Sequence, residues 1–292
     1  MRIHDALARF LLQLEADGRS PHTLGQYGRH VRLLIAWLGQ AGHTGTLEDV
    51  TDEDLARFLT SPTARTTAAG AKRKASSANA LRSSLKGFFS WLNRAGMVTS
   101  DPSRLIRRAI TGPAPPRALR PAEEERLLKV LREAEGAEAQ RDRVLIELML
   151  ATGIRLSSAL ALDVEDVDPE GAVLLLREVK GGRQERVLLN ARARRVLAGF
   201  IADHTTGPVF PGRDGHRITA RHAQRRFRFW REQAGIQEAV TPHSLRHAFA
   251  ERLYQRTGDV LLVREALGHR SISATLVYAK VEARKLREAI EA

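Results

Sequence analysis

The segment VLLLREVKGGRQERVLL, residues 173–189, has a pattern found nowhere else in this chain. One apolar-rich run precedes the Gly181-Gly182 pair, and a second run follows it. Two such runs joined by a glycine turn predict a β-hairpin, with Lys180 at its tip. Since helical spacing dominates elsewhere, the sequence predicts a mainly α protein with one small antiparallel sheet.

On both sides of this hairpin, apolar residues recur every three or four positions, as in amphipathic helices. Ser20-Pro21 and Thr51 are helix-start signals, and Gly96 is a stop signal. The predicted helices cover residues 3–14, 51–59, 121–135, 141–151, 191–203, 219–234, 244–256 and 260–267. Another runs from Ser20 to near Gly39 or Gly42, one marked by Leu81 to Leu92 stops at Gly96, and a last helix begins near Ile272. The N-terminal part is therefore expected to be a bundle of four or five helices.

Residues 111–120 are the best candidate for a linker. They contain one glycine and three prolines, which cannot continue a helix, and too few apolar side chains for a core. A chain of 292 residues is also longer than one compact domain usually is. We therefore predict an N-terminal helical domain, residues 1–110, and a mostly helical second domain with the small sheet, residues 121–292.

The composition favours a polyanionic partner. Lys and Arg outnumber Asp and Glu by 47 to 34, giving a formal net charge of +13, and neutralising phosphates releases condensed counterions. The absence of cysteine excludes disulfides, thiolate zinc sites and cysteine nucleophiles. Because the chain has neither an apolar signal core nor a run of roughly 18 apolar residues, we expect a cytoplasmic protein without a membrane partner.

Two groups of basic residues are candidate DNA contacts. Lys72, Arg73 and Lys74 lie in a stretch of small residues, 61–76, that we expect to be a mobile loop; a merely solvated loop is the alternative. The second group lies on the predicted helix 219–234 and is expected to include some ordinary solvated side chains. Its members are Arg221, Arg225, Arg226, Arg228 and Arg231.

Four short segments of the second domain carry residues suited to phosphoryl transfer. They are ATGIRLS (151–157), the hairpin tip KGG (180–182), TPHSLRHAF (241–249) and LGHRSISATLVY (267–278). Each alone has an ordinary interpretation, because an arginine at a helix start or a lysine in a glycine turn is usually a solvated side chain. Together they supply two arginines, two histidines, a lysine and a tyrosine: Arg155, Lys180, His243, Arg246, His269 and Tyr278.

These residue types meet the needs of attack on a phosphodiester. The reaction requires cationic donors for the phosphate oxygens, a nucleophile, and an acid for the leaving alkoxide. Arginine can grip two phosphate oxygens at once, and cations with a base would favour the tyrosine phenolate. A phosphotyrosine ester conserves the energy of the broken bond, so rejoining needs no ATP. His243 and His247 lack a third ligand nearby, so we expect neither a metal nor a cofactor.

The order Arg, Lys, His-x-x-Arg, His, Tyr resembles the signature of the tyrosine recombinases, the phage integrase and Xer family. The resemblance extends to the N-terminal part through SPHTL (20–24) and FFSWL (88–92). It implies a SAM-like, DNA-clamping core-binding domain followed by a catalytic domain. It also implies a site-specific recombinase that acts on double-stranded DNA without metal or ATP, as a homo- or hetero-tetramer on paired sites, near the nucleoid, with a protein activator in some members.

The resemblance also implies a role for each candidate. Tyr278 would attack the scissile phosphate and form a 3′-phosphotyrosyl link, while Arg155 and Arg246 would clamp the non-bridging oxygens. Lys180 would protonate the leaving 5′-oxygen. His243 would help to move the tyrosine proton, and His269 would donate a hydrogen bond to the phosphate.

Some features depart from the family or leave alternatives open. Ser158 stands where the family usually has an acidic residue. The last segment, with Leu286 and Ile290, could pack on its own domain or on a neighbouring protomer. A relaxing topoisomerase and a DNA-binding regulator without catalysis are the alternative functions. The sequence does not choose between chromosome dimer resolution, phage integration and transposon movement, although the short chain favours a simple Xer-like or integrase role.

Overall fold

The structure is a computed structural model, and it describes most of the chain. The described residues are 1–67, 69–109, 117–168, 170–179, 183–202, 206–236, 240–268 and 275, without the side chains of residues 178, 179 and 183. The chain divides into two compact units, Met1–Ala114 and Pro115–Ala292. Each unit has its own hydrophobic core.

In the first unit, all the helix and strand elements assigned to described residues are helices. Its helices are α1 (Ile3–Ala16), α2 (Pro21–Gln40), α3 (Asp52–Thr60), α4 (Pro62–Arg65) and α5 (Ala75–Arg94). Ser20 caps α2, and Thr51 forms a capping box with Asp54 at α3. These starts agree with the sequence prediction. The short α4 was not predicted, because four residues are too few to show a helical period.

Aromatic side chains fill the centre of this unit. Phe10 of α1 makes edge contacts with Tyr27 of α2 and Phe88 of α5, with ring centroids 5.4 Å apart in both pairs. At Gly87 the helices approach so closely that an added Cβ would lie 2.8 Å from the Tyr27 ring. Phe88 is fully buried in this core.

The stretch 61–76 is not the open loop that the sequence suggested. Residues 62–65 are helical, Thr66 and Lys72 form a β-bridge, and the Arg73 amide donates to the Arg65 carbonyl at 2.7 Å. The described backbone therefore folds back on itself. The small residues of this stretch permit close packing of the backbone. In the sequence alone, the same residues are typical of a loop.

Among its described residues, the second unit combines seven α-helices and a short 3₁₀ turn with one sheet. Its elements are α6 (Pro121–Glu133), α7 (Ala137–Thr152), α8 (Leu156–Ala161), β1 (Val167–Asp168), β2 (Val173–Val179), β3 (Arg183–Leu188), α9 (Ala191–Ile201), α10 (Ala220–Gln233), α11 (Pro242–Thr257) and α12 (Val260–Ala266), with a 3₁₀ turn at Val164–Asp166. The helix predicted from Ile272 lies outside the described residues.

The sheet is antiparallel in the order β1-β2-β3. The hairpin β2–β3 is confirmed, with Val173 opposite Leu188 and Leu176 opposite Glu185. The two-residue strand β1 adds a third member through Val167 opposite Leu174. The predicted class, mainly α with a small antiparallel sheet, is therefore confirmed, although neither β1 nor α8 was predicted.

Residues 117–120, which the sequence placed in the linker, pack on the second unit. Leu119 is buried in its core, and the Leu119 amide donates to the Ser244 carbonyl at 3.4 Å. Arg117 forms an ion pair with Glu123 of α6 at 2.7 Å. The remaining linker positions that precede Arg117 lie outside the described residues.

A buried ionic cluster joins α7 to α10. Asp142 is 3% exposed and accepts from its neighbour Arg141 at 2.8 Å, from Arg226 at 2.6 Å and from the Trp230 indole at 2.8 Å. Arg141 is equally buried and also donates to the Pro211 carbonyl. The carboxylate therefore satisfies donors from two helices at once, as a buried charge requires.

No helix in the described part of the chain combines the length and the apolar character that crossing a bilayer demands.

We predict that Asp142→Asn destabilises the second unit by about 3–5 kcal/mol, because it leaves the buried Arg141 without a compensating charge. Urea unfolding followed by circular dichroism measures the loss. The matched control is Glu53→Gln, which breaks an exposed ion pair with Arg57 and should cost less than about 1 kcal/mol. Equal effects of the two substitutions would contradict the role assigned to Asp142.

Candidate active site

The site is built around the buried guanidinium of Arg246 on α11. Pro242 and the Thr241–Ser244 capping box start this helix, so Arg246 lies in its second turn. Its side chain is 3% exposed. One terminal nitrogen, Nη1, donates to the Gly153 carbonyl at 2.6 Å, and Nη2 donates to the Leu267 carbonyl at 2.5 Å. Arg246 thus joins two turns that are distant in sequence.

Gly153 ends α7 in the left-handed conformation, with φ +67°. A Cβ at this position would lie 2.4 Å from the Phe249 ring and 3.0 Å from the Leu267 side chain. Both the backbone conformation and the close packing therefore require glycine. Because its carbonyl accepts from Arg246, the turn that leads to Arg155 is fixed relative to α11.

Arg155 follows this turn and occupies the N-cap position of α8. The preceding Ile154 is buried in the core, whereas the Arg155 side chain is exposed. The backbone is therefore anchored while the guanidinium faces solvent. Such an arrangement suits a cation that has to meet an external phosphate.

His243 lies in the first turn of α11, three residues before Arg246. Its ring reaches solvent, but surrounding protein atoms remove part of its hydration. This desolvation lowers the pKa of His243 below its ordinary value, and the positive charges of Arg246 and Arg155 lower it further. A neutral imidazole near pH 7 can accept a proton. The His247 ring packs edge-on against it, with centroids 4.5 Å apart.

The turn after α12 is the third part of the site. Leu267 is buried in a small cluster with Ala250 and Val263, and its carbonyl accepts from Arg246. Gly268 has φ +58°, a left-handed conformation that glycine adopts readily. His269, the next residue, lies outside the described residues.

The structure therefore brings together three of the six candidates, Arg155, His243 and Arg246. Lys180, His269 and Tyr278 lie outside the described residues, so their roles stay predictions. Within the described ranges, no three His, Asp or Glu side chains are grouped so that they could hold a metal ion.

The candidate DNA contacts of the first unit differ in exposure. Lys72 and Lys74 are exposed. Arg73 is partly buried, because its guanidinium donates to the Ala64 carbonyl at 2.9 Å and the Thr66 carbonyl at 3.0 Å. Arg73 thus holds this segment together, and the two lysines are better placed to meet a phosphate.

The basic cluster on α10 contains two kinds of arginine. Arg226 binds Asp142, and Arg231 donates to the Val240 carbonyl at 3.3 Å and to Glu232 at 3.1 Å. Both are therefore engaged within the protein. The exposed positions instead follow helical spacing along one face: Arg221, Gln224, Arg225 and Arg228. Gln224 was not predicted, because one glutamine among many polar residues gives no signal.

Comparison with known proteins places the chain in a family. Residues 117–285 match the model described as Phage integrase family, and residues 7–96 match Phage integrase, N-terminal SAM-like domain. The chain is 33% identical to tyrosine recombinase XerC of Chromobacterium violaceum, covering 95% of this chain and 90% of that protein. It is 32% identical to tyrosine recombinase XerD of Ralstonia nicotianae, covering 97% and 92%.

Solved structures share the fold. XerH site-specific recombinase, bound to its difH substrate in a pre-cleavage complex, matches with a TM-score of 0.72 and 25% identity, covering 91% of this chain and 78% of that chain. A lambda integrase dimer bound to a COC′ core site matches with a TM-score of 0.72 and 22% identity, covering 94% and 97%. This chain belongs to the phage integrase family of tyrosine recombinases.

Proposed function

We propose that the chain is a site-specific DNA recombinase that cuts and rejoins strands through a 3′-phosphotyrosyl intermediate on Tyr278. The observation that carries this function is the grouping of Arg155 and Arg246 around His243, with Arg246 fixed by two backbone carbonyls. Two cations beside a neutral imidazole are suited to bind a phosphodiester and to accept a proton next to it.

Cleavage exchanges one ester for another. The Tyr278 oxygen attacks the scissile phosphorus, and His243 accepts the phenol proton. The bond from phosphorus to the 5′-oxygen breaks, and Lys180 supplies a proton to that oxygen. In rejoining, a 5′-hydroxyl attacks the phosphotyrosine, the proton transfers reverse, and the tyrosine is released. Each step keeps one phosphodiester-type bond, so no nucleotide hydrolysis is needed.

The arginines act mainly on the transition state. Negative charge increases on the non-bridging oxygens as the tyrosine oxygen approaches. A planar guanidinium can donate to two such oxygens and stays charged at every working pH. Arg246 is held before DNA binds, so it needs little reorganisation when the charge develops.

DNA contacts are proposed on both units. The exposed row Arg221, Gln224, Arg225 and Arg228 of α10 would contact DNA in the second unit, and Lys72 and Lys74 would contact phosphates in the first. XerH and lambda integrase have been solved bound to DNA, which supports double-stranded DNA as the partner.

Assembly and biological role are proposed from the relatives. A lambda integrase tetramer has been solved on a Holliday junction, and we propose a homo- or hetero-tetramer of this chain on paired sites.

The similarity to XerC and XerD supports an Xer-like role on chromosomal DNA, hence a nucleoid-associated location. The segment with Leu286 and Ile290 would pack within one protomer or between neighbours, and a protein activator would regulate some assemblies.

We predict that the wild-type chain forms a covalent adduct with a nicked suicide substrate, and that Tyr278→Phe forms none. The substitution removes only a hydroxyl, so DNA affinity should change less than about twofold. Denaturing gel electrophoresis measures the adduct, and a mobility-shift titration measures binding. An adduct that persists in Tyr278→Phe contradicts the nucleophile, and relaxation of supercoiled plasmids lacking the site indicates a topoisomerase instead.

We predict that the single-turnover cleavage rate falls with acid because protonation removes the base at His243. The pKa of His243 is lowered, so the midpoint of the decline should lie below the value of about 6.5 that is typical of an unperturbed histidine. His243→Gln should cost roughly 100-fold in rate and abolish this decline. His4→Gln, at an exposed histidine of the first unit, is the control. A decline centred above pH 7 would contradict the assignment.

A further inference from the structure

The turn formed by Leu267 and Gly268 is held by more than the residues of the site described above. Arg246 binds the Leu267 carbonyl, and the Leu267 side chain packs next to Gly153. A further contact comes from the hairpin, where Glu185 of β3 lies against Gly268. No catalytic role considered so far uses this glutamate.

Glu185 lies on the inner face of β3. Val187 and Leu189, which share that face, are buried in the core of the second unit, whereas Gln184, Arg186 and Leu188 are exposed. Buried neighbours thus anchor the strand. Glu185 itself is partly buried, and it pairs with Leu176 of β2.

The contact between Glu185 and Gly268 is close. A Cβ added to Gly268 would lie 2.1 Å from Oε1 and 2.8 Å from Oε2 of Glu185. Both carboxylate oxygens therefore lie against the Gly268 backbone, in space that any other residue's side chain would need. The amide of Gly268 donates to the Glu265 carbonyl at 2.9 Å, so the turn is fixed from the α12 side as well.

The Glu185 carboxylate gains no stability from hydrogen bonds or ion pairs within the described ranges. The Glu185 side chain forms neither a hydrogen bond nor an ion pair with any residue in the described ranges, although its backbone pairs with β2 in the sheet. Partial burial of a charged group without such a partner is unfavourable. The close contact of this side chain with the Gly268 backbone is therefore the feature from which its role is inferred.

The residue that follows Gly268 is His269. Consecutive Cα atoms are about 3.8 Å apart, so fixing Gly268 limits where the His269 backbone can start. We propose that Glu185 is a positioning residue for His269, acting through the Gly268 turn. This inference rests on the proposed function, in which His269 donates a hydrogen bond to the scissile phosphate. A displacement of about 1 Å in such a donor can cost up to 100-fold in rate.

The test measures single-turnover cleavage of a suicide substrate together with DNA affinity. Glu185→Ala should lower the cleavage rate roughly tenfold and change the dissociation constant less than twofold. Glu185→Gln keeps the shape of the side chain, so it should retain at least half of the wild-type rate. Thermal unfolding of each variant establishes that the second unit is folded.

Epistasis with His269 distinguishes positioning from a general effect. In a His269→Ala background, Glu185→Ala should lower the cleavage rate no further, because the group that it positions is absent. Independent effects of the two substitutions, whose fold losses multiply, would overturn the proposal. So would equal losses in Glu185→Ala and Glu185→Gln, or a loss of rate that merely follows a loss of DNA affinity.

Two glycines provide a matched pair. Gly268→Ala should lower the cleavage rate at least as much as Glu185→Ala, because the methyl group would displace the carboxylate. Gly258→Ala adds the same methyl at φ +65°, where nothing lies within 4 Å, and should leave the rate unchanged. Equal rates for these variants would count against the contact. If wild type forms no adduct at all, the proposed function fails, and this inference fails with it.

Discussion

The arrangement of the second unit depends on the hydrogen bonds made by one buried cation, the guanidinium of Arg246. A guanidinium removed from water needs a hydrogen-bond acceptor for each of its N–H donors. Two donors of Arg246 bind the backbone carbonyls of Gly153 and Leu267. These acceptors are 93 and 21 residues away along the chain. They are also neutral, so they fix the guanidinium without carrying a full opposing charge. The same interaction therefore places the turns before Arg155 and His269. Desolvation lowers the pKa of His243, and the positive charges of Arg246 and Arg155 lower it further.

Helix α7 links this interaction to two other helices of the second unit. Its N-terminal half holds Asp142, which binds donors from α10, and its C-terminal end is Gly153, which accepts from α11. The helix that bears the exposed basic row and the helix that bears His243 and Arg246 thus share one support. The proposed DNA-contact row and the candidate catalytic residues His243 and Arg246 are therefore supported by the same helix, so the proposal implies that a shift of α7 disturbs DNA binding and cleavage together.

Long elements with regular apolar spacing could be predicted from the sequence. Of the six reactive candidates, the described residues include three, Arg155, His243 and Arg246, and the catalytic roles of all six stay predictions. The short elements α8 and β1 could not, since six and two residues show no period. The acceptors of Arg246 are backbone carbonyls, which every residue has and no sequence pattern marks. Nor could sequence separate Arg226, paired with Asp142 across 84 positions, from the exposed Arg221 on the same helix.

The most direct measurement is to locate the covalent attachment itself. An adduct trapped on a suicide substrate can be digested with nuclease and trypsin and sequenced by mass spectrometry. The account predicts nucleotide mass on the tryptic peptide SISATLVYAK, residues 271–280, whose single tyrosine is Tyr278. Attachment at Tyr27 or Tyr254, the other two tyrosines of the chain, would contradict it.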